Sequence, residues 1–476
     1  MCLRIYLTEL CLKGVFMLNK YVAYDILTAA LSGGGDFAEI FMENTEKNTL
    51  SMVNGAVEKA LWGVDYGCGI RIFSGYGAVY AYTNDLSKDN LLHIAREASK
   101  AARRNETEAV VSLDFQKVSY IDSVVISPAS GPKKLAAEKL RLASEASYAY
   151  NSRITQTSGS LTGITQDIFI ANSEGLLAED HRARTRIFIE AVASSENEKQ
   201  VGYKSYGAKK GFELLESIDF SGIGTECANI AITMLDAEFC PSGRMPVIID
   251  KGFGGVIFHE ACGHSLEATS VAVKSSVFSD SLDKRIASEI VTAIDDGTLP
   301  GEWGSLNIDD EGTKTKRNVL IENGILKSFL IDRLNGLRMG MASTGSSRRE
   351  SYKFAPTSRM TNTYIAKGND REEDIIADTE YGLYAKKMGG GSVQPATGEF
   401  NFAVTEGYMI RNGKIAEPVR GATLIGKGSE VLLGIDRIAD NLSLEQGMCG
   451  SISGAVPTNI GQPMIRVNEL TVGGRR

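Results

Sequence analysis

The stretch FHEACGHSLEA, residues 258–268, sets His259, Glu260 and His264 within six positions of one another in a chain that has four histidines in all. Imidazole nitrogens hold first-row metal ions, and a carboxylate beside such a ligand can take a proton from a water that the ion has acidified. These residue types together point to metal-assisted hydrolysis, with Glu260 as the base. The spacing is H-E-x-x-x-H, one residue longer than the zinc-protease pattern H-E-x-x-H. Residues five apart on a regular α-helix are turned by about 140°, which sends the two rings in different directions. Chelation by both therefore requires an irregular helix, either a turn widened to the i→i+5 pattern or a break. Gly263, directly before His264, lowers the cost of both.

A catalytic zinc site takes three protein ligands and leaves a position for water. The motif supplies two, and Cys262, Glu267 and a residue from far along the chain compete for the third place. Glu267 stands three after His264 and shares its helical face. Cys262 sits on the same turn as both histidines, which strains its reach. Cys449, in EQGMCGSISG, lies in what reads as a glycine-flanked loop whose backbone can bring a thiolate close. Each has an ordinary structural explanation: a helix with His and Glu is often a half-buried polar face, and a lone cysteine is often a small buried apolar residue. His93 and His181 have no chemical neighbourhood in the sequence and read as structural. GATLIGKG, residues 421–428, approaches a phosphate-binding loop but puts Gly428 where Ser or Thr would hold Mg²⁺. No G-x-S-x-G nucleophile turn is present.

The elements that must position these residues follow from periodicity and turn chemistry. At 476 residues the chain exceeds what one hydrophobic core usually serves, so two domains are expected. Strands are expected at 38–43, 49–53, 69–73 and 78–83, with Asn54-Gly55 as a type I′ hairpin turn. Asp85 or Ser87 caps a helix through Leu91, Ala95, Ala98 and Ala102, and a second helix runs from Ser130-Gly131-Pro132 to Tyr150. Strands at 167–171 and 184–193 and a helix at 223–237 complete an N-terminal domain, 18–240. Pro241-Ser242-Gly243 reads as a linker. A buried strand at 245–250 then leads into the motif and opens a strand-rich C-terminal domain, 241–476, with hairpins at Asn323-Gly324 and Asn412-Gly413. Runs of strands with a few helices, rather than strict alternation, give an α+β class.

Composition narrows the function. With 43% hydrophobic and 23% charged residues the chain is ordinary for a globular protein, and a net charge of −8 leaves no basic surplus for a dedicated nucleic-acid binder. Seven scattered cysteines suit a reducing compartment. In residues 1–17 the apolar run is interrupted by Glu9 and Lys13 and is too short to span a bilayer, so it reads as an extension outside the fold. A cytoplasmic protein with no membrane partner is expected.

Blocks spread along the second half resemble the TldD/PmbA family, and specifically its motif-bearing TldD branch: HEACGHSLE (259–267), STGSSRRESY (343–352), PTSRMTNTYI (356–365), GGGSVQPATGEFNFAVTEGYMIRNGKI (389–415), VRGATLIGKG (419–428) and GQPMIRVNELTVGG (461–474). Looser matches lie at 57–75 and 172–175. The family comprises metal-dependent peptidases once described as modulators of DNA gyrase. The resemblance implies that His259, His264 and Cys449 bind zinc and that Glu260 is the catalytic base. It also implies a homodimer, or a heterodimer with a paralogue that lacks the motif. The reading is then a zinc peptidase acting on unfolded or flexible peptides, laid along an edge strand near MGGGSVQPATG. A non-catalytic partner subunit and a zinc amidohydrolase acting on a small substrate are the competing readings. Arg348 and Arg349 read as a solvated charge pair ahead of a role in orienting substrate.

Overall fold

The computed structural model describes residues 18–102, 109–121, 124–394 and 397–474; the expected extension over residues 1–17 lies outside them. Strand outweighs helix, 45% to 24%, and the class is α+β in more than one domain. Seven strands from the first half form one sheet: β1 (Phe37–Val53), β2 (Ala56–Ser74), β3 (Gly77–Thr83), β4 (Asp114–Gln116), β5 (Ile154–Asn172), β6 (Leu176–Ser194) and β7 (Lys199–Ala208). Their order is β3-β2-β1-β5-β6-β4, with β7 also against β6. The short strands expected at 38–43 and 49–53 are a single strand of 17 residues. The polar stretch between them stays extended because β1 is hydrogen-bonded to β2 on one side and β5 on the other along nearly its whole length, and ladder pairing overrides the low strand preference of Asn and Lys. Asn54 and Gly55 take positive φ values of 51° and 75°, as a type I′ turn demands.

Four helices clothe this sheet: α1 (Lys20–Leu31), α2 (Lys88–Ala102), α3 (Lys133–Tyr150) and α4 (Phe220–Asp236). Ile26 and Leu27 of α1 and Leu91 and Ala95 of α2 pack with Ile40, Ile70 and Ile72. Leu140 and Ala143 of α3 and Phe220 and Cys227 of α4 pack with Leu161, Ile187 and Ile189.

The second half builds two larger sheets. In one, the strands Tyr381–Gln394, Gly243–Ile249, Ile465–Gly473, Thr423–Lys427 and Glu399–Arg411 pair in that order, and the last pairs back with the first to close a ring. The other is six-stranded and carries Asn362–Ile365, Gly454–Gln462 and, at its edge, Ser443–Ser451. The metal motif leaves the ring at the end of Gly243–Ile249 and lies between the two sheets. Phe258, Ala261, Cys262 and Leu266 share one apolar core with Val247, Leu383, Phe402, Met360 and Val456.

The halves meet along a buried seam of charge. Arg71 Nη2 donates to Glu39 at 2.9 Å and to Glu311 at 2.5 Å; Arg182 reaches Asp180 at 3.0 Å and Asp310 at 2.7 Å; Arg349 Nη2 reaches the other oxygen of Glu39 at 2.7 Å. This corrects the expectation for Arg348 and Arg349. Neither is solvated: Arg348 is 2% exposed and donates to the carbonyls of Met360 and Pro457, while Arg349 belongs to the seam. Two adjacent arginines look like a surface pair in a string of letters, but the carboxylate that pairs with Arg349 lies 310 residues away, and the carbonyls that hold Arg348 lie 12 and 109 residues away. His181, expected to be without a chemical neighbour, pairs through Nδ1 with Asp167 at 2.6 Å across β5 and β6.

Candidate metal centre

The backbone entering the motif is shaped by glycine. After Ile249 the chain makes a tight turn over Gly252–Gly255, with Gly252 at φ 75°. A methyl group on Gly255 would lie 2.5 Å from the Gly461 carbonyl oxygen, and one on Gly254 would lie 2.7 Å from Gln462 Nε2. The turn therefore packs flat against the strand Gly454–Gln462, which pairs with the strand that carries Cys449. On the opposite side, a methyl on Gly428 would lie 2.2 Å from the Ala261 carbonyl oxygen. The glycine that spoils GATLIGKG as a phosphate loop is thus a packing contact for the motif helix.

The helix itself is short. It runs from Val256 to Ala261 and stops at Cys262, whose φ and ψ of −128° and −49° are not helical; a tighter four-residue turn, Gly263–Leu266, follows. Cys262 N still donates to the Phe258 carbonyl and Leu266 N to the Cys262 carbonyl, so the break leaves these amides satisfied. Of the two distortions open to the sequence, the chain uses the break and not the widened turn. Gly263 permits it for a further reason, since a methyl there would lie 2.3 Å from Met360 Sδ.

The break brings the rings of His259 and His264 to a centroid separation of 5.1 Å at 85°. Cys449 Sγ stands 3.2 Å from His259 Nε2 and 3.2 Å from His264 Nε2. One ligand atom from each of the three residues lies within 4.8 Å of the others, and among the described residues this is the group of three or more such side chains close enough to share an ion. Cys449 is not in a loop, as its glycine neighbours led one to expect, but in the edge strand Ser443–Ser451, opposite Val456. Alternation along that strand buries Cys449 between exposed Met448 and Gly450.

Electrostatics agree with a ligand set. Burial opposes ionisation of Cys449, yet His259 and His264 on either side bring its thiol down to about 3. Burial likewise opposes charge on His264, and the Glu267 carboxylate together with Cys449 lifts it well above the ordinary imidazole range. A thiolate between two imidazoles is a soft-to-borderline donor set of the kind that zinc takes. The donors present fit such an ion. His259 Nδ1 is buried and without a hydrogen bond, so the ring is held by packing and faces the cluster with Nε2.

The rivals for the third place are elsewhere. Cys262 is fully buried in hydrocarbon, which pushes its thiol up, and it is outside the cluster. Glu267 lies behind His264, its Oε1 3.2 Å from Nδ1, the ring nitrogen turned away from Cys449. Glu260 stands on the open side: its Oε2 is 3.7 Å from His264 Nε2, beyond hydrogen-bond reach, and its side chain is 29% exposed where His259 is 1%. Arg359 is the participant that the sequence did not single out. It is fully buried, donates through Nη2 to the Cys449 carbonyl and lies 3.8 Å from Glu267 Oε1 through Nε. Its place inside PTSRMTNTYI was visible, but nothing in that string marks which end of the chain it touches.

A buried imidazole–imidazole–thiolate cluster with a carboxylate on its solvent side is the equipment of metal-assisted hydrolysis. Sequence profiles of the PmbA/TldA metallopeptidase C-terminal domain, central domain and domain 1 match residues 242–474, 129–235 and 38–102. A Haemophilus influenzae protein named "Metalloprotease TldD homolog" is 34% identical over 449 residues, covering 92% of this chain and 93% of that relative. A Methanothermobacter thermautotrophicus protein named "Metalloprotease" is 32% identical over 441 residues, covering 92% and 96%. The chain belongs to the PmbA/TldD metallopeptidase family. Its fold matches TldE from Thermococcus kodakarensis with a TM-score of 0.77 at 18% identity, covering 95% of this chain and all of that one. A Thermotoga maritima protein named for a role in modulating a DNA gyrase matches with a TM-score of 0.78 at 20% identity and the same coverage. Among the described residues no helix is long and apolar enough to cross a membrane.

Proposed function

We propose that this chain is a zinc-dependent peptidase that hydrolyses peptide bonds in unfolded or flexible peptides, with His259, His264 and Cys449 holding the ion and Glu260 as the catalytic base. The observation that carries the reading is the convergence of three donor atoms within 4.8 Å, one of them from a strand 185 residues beyond His264, beside the half-open carboxylate of Glu260. A Saccharolobus solfataricus relative, 33% identical over 51% of this chain, is named "Zinc metalloprotease TldD homolog", which supports zinc.

Bound zinc supplies Lewis acidity, polarising a carbonyl and lowering the pKa of a water to about 7. The chain does the rest. Glu260 accepts the proton of the attacking water and delivers it to the leaving amine. Glu260 suits the task because it stands near His264 without a hydrogen bond to it and is not fully buried. Cys449 is buried in one apolar core with Phe258, Met360 and Val456.

For the substrate, the strand Tyr381–Gln394 keeps Glu399–Arg411 on one side along its length, and beyond Ala385 no described strand pairs with its other side. It pairs with Gly243–Ile249 over Leu383–Ala385, just before that strand turns into the motif, and runs on with Gly390, Gly391 and Ser392 exposed. An extended peptide added there is bound through its backbone, which requires an unfolded stretch and little side-chain preference. Association with a second copy or with a motif-lacking paralogue, and work in the cytoplasm, belong to the same reading; the five described cysteines are all free thiols, which supports a reducing compartment.

Digestion of a casein-like disordered protein tests the function. Activity is expected to vanish on chelation and to return with stoichiometric Zn²⁺, while peptides with scrambled side chains are cut at similar rates. Full activity in metal-free protein would overturn the metal assignment. Dependence on a single side chain would overturn the edge-strand mode. Native mass measurement of the purified assembly reads the oligomeric state.

A further inference from the structure

Glu267 and Arg359 serve no role in the hydrolysis just described, yet both are buried against the ligands. Glu267 is 5% exposed and Arg359 is fully buried. Ionic groups so placed are strongly unfavourable unless the surroundings use them. Glu267 is fixed by its backbone: Leu330 pairs with the segment on both sides, donating to the Leu266 carbonyl and accepting from Ala268 N. Its carboxylate therefore has a set position 3.2 Å from His264 Nδ1. Arg359, on a third segment, reaches both the motif and the strand that carries Cys449. Nε faces Glu267 Oε1 at 3.8 Å, Nη2 donates to the Cys449 carbonyl, and Nη1 donates to Ser453 Oγ and the Gly454 carbonyl, each at 2.9 Å. Glu267 Oε1 and Arg359 Nε are buried without a regular hydrogen bond, so the direction in which each is satisfied is toward the other and toward His264.

The geometry points to Glu267 and Arg359 as the positioning pair of the metal site. Glu267 keeps the proton of His264 on Nδ1 and leaves Nε2 for the ion, and Arg359 ties that carboxylate to the strand that delivers Cys449. A carboxylate behind a ligating imidazole fixes its tautomer and orientation and raises its basicity. Here the same carboxylate is held by an arginine that also grips the backbone of the third ligand, so the separation of the histidine and cysteine segments is set by one buried ion pair. The inference rests on the metal-site reading above.

The test is competition between the metal-free protein and a chromophoric chelator for Co²⁺, with the cobalt–thiolate absorption band and the melting temperature of each metal-free protein recorded alongside. Glu267→Ala and Arg359→Lys are expected to weaken Co²⁺ binding by about 10- to 100-fold. Glu267→Gln, which keeps an acceptor for Nδ1–H in the same volume, is expected to lose less and to keep the fold if the alanine variant does not. Arg359→Lys is also expected to alter the thiolate band, a change that loss of stability alone does not produce. Wild-type affinity and an unchanged band in Glu267→Gln and Arg359→Lys would overturn the pairing while leaving the metal site intact. If wild type takes up no Co²⁺, or His264→Ala binds it as tightly as wild type, the metal-site reading fails and this inference falls with it.

Discussion

Two regions of the molecule bury charge, and they do so in opposite ways. In the seam between the halves every carboxylate oxygen of four acids is engaged: Glu39 by Arg71 and Arg349, Asp180 by Arg182 and Asn307, Asp310 by Arg182 and Arg349 N, Glu311 by Arg71 and Arg333 N. In the metal centre the groups are as deeply placed but incompletely matched: His259 Nδ1, Glu267 Oε1 and Arg359 Nε lack regular hydrogen bonds, and Glu260 faces solvent. Arg71 Nε and Arg349 Nε also lack a partner in the seam, but its carboxylates are fully engaged, and a network with no open acceptor holds one geometry. An unsaturated one keeps capacity for something the chain does not itself supply. The difference separates architecture from chemistry more surely than burial or charge alone.

The contrast can be broken by exchanging the consequences of mutation. Glu260→Gln is expected to lower turnover by about 10²- to 10⁴-fold while metal content and melting temperature stay at wild-type values; retained turnover would remove Glu260 from the mechanism. Arg71→Met is expected to do the reverse. It leaves Glu39 and Glu311 buried and half-paired, which costs about 3–5 kcal/mol of stability in denaturant titration, with metal affinity unchanged. A matching loss of metal binding would show that the two regions are one network.

A finer test uses Glu43, which lies on the seam's wall but is bonded to neutral partners, Tyr352 N and Gln166 Nε2. Burial pushes its carboxyl up from 4.5 to about 7. The folded state therefore keeps a proton that the unfolded state releases, and stability falls as pH rises from about 4.5 to about 7, by roughly 3 kcal/mol in all. Glu43→Gln is expected to remove that portion of the slope in pH-dependent unfolding. An unchanged slope would place the titration elsewhere. Smallest of all, Gly263→Ala sets a methyl against Met360 Sδ. Because a thioether can swing aside, the expected cost is about 1–3 kcal/mol with a weakened metal site.

Much of this was legible from sequence. The hairpin turns at Asn54-Gly55, Asn323-Gly324 and Asn412-Gly413 appear with the positive φ that their residue types dictate, because turn chemistry is local. The helices ending at Ala102 and Tyr150 follow from apolar spacing. The cluster of His259, Glu260 and His264 is visible in the sequence, but its spacing alone suits a half-buried polar face as well as a metal site. What could not be read was non-local. β1 is continuous because of its neighbours, Arg349 is buried against a distant carboxylate and Arg348 against distant carbonyls, and Glu267, a rival for the third ligand place in the sequence, lies against His264 Nδ1 on the side away from Cys449. Cys449 shows the same limit: its glycine neighbours imply a loop, whereas pairing with Val456 makes it a strand. Arg359 has no local signature, since its meaning lies in joining two segments.

The three side chains that could hold a metal ion come from positions 259, 264 and 449, and the last arrives on an edge strand. A polypeptide emerging from the ribosome presents both imidazoles long before the sulfur is made. Any chain halted or clipped ahead of that strand carries an incomplete set, whatever the state of its earlier sheet. On the proposed reading, the capacity to cut awaits the last strands of the chain, since Ile465–Gly473, made after the sulfur, lies within the ring of strands from which the motif departs.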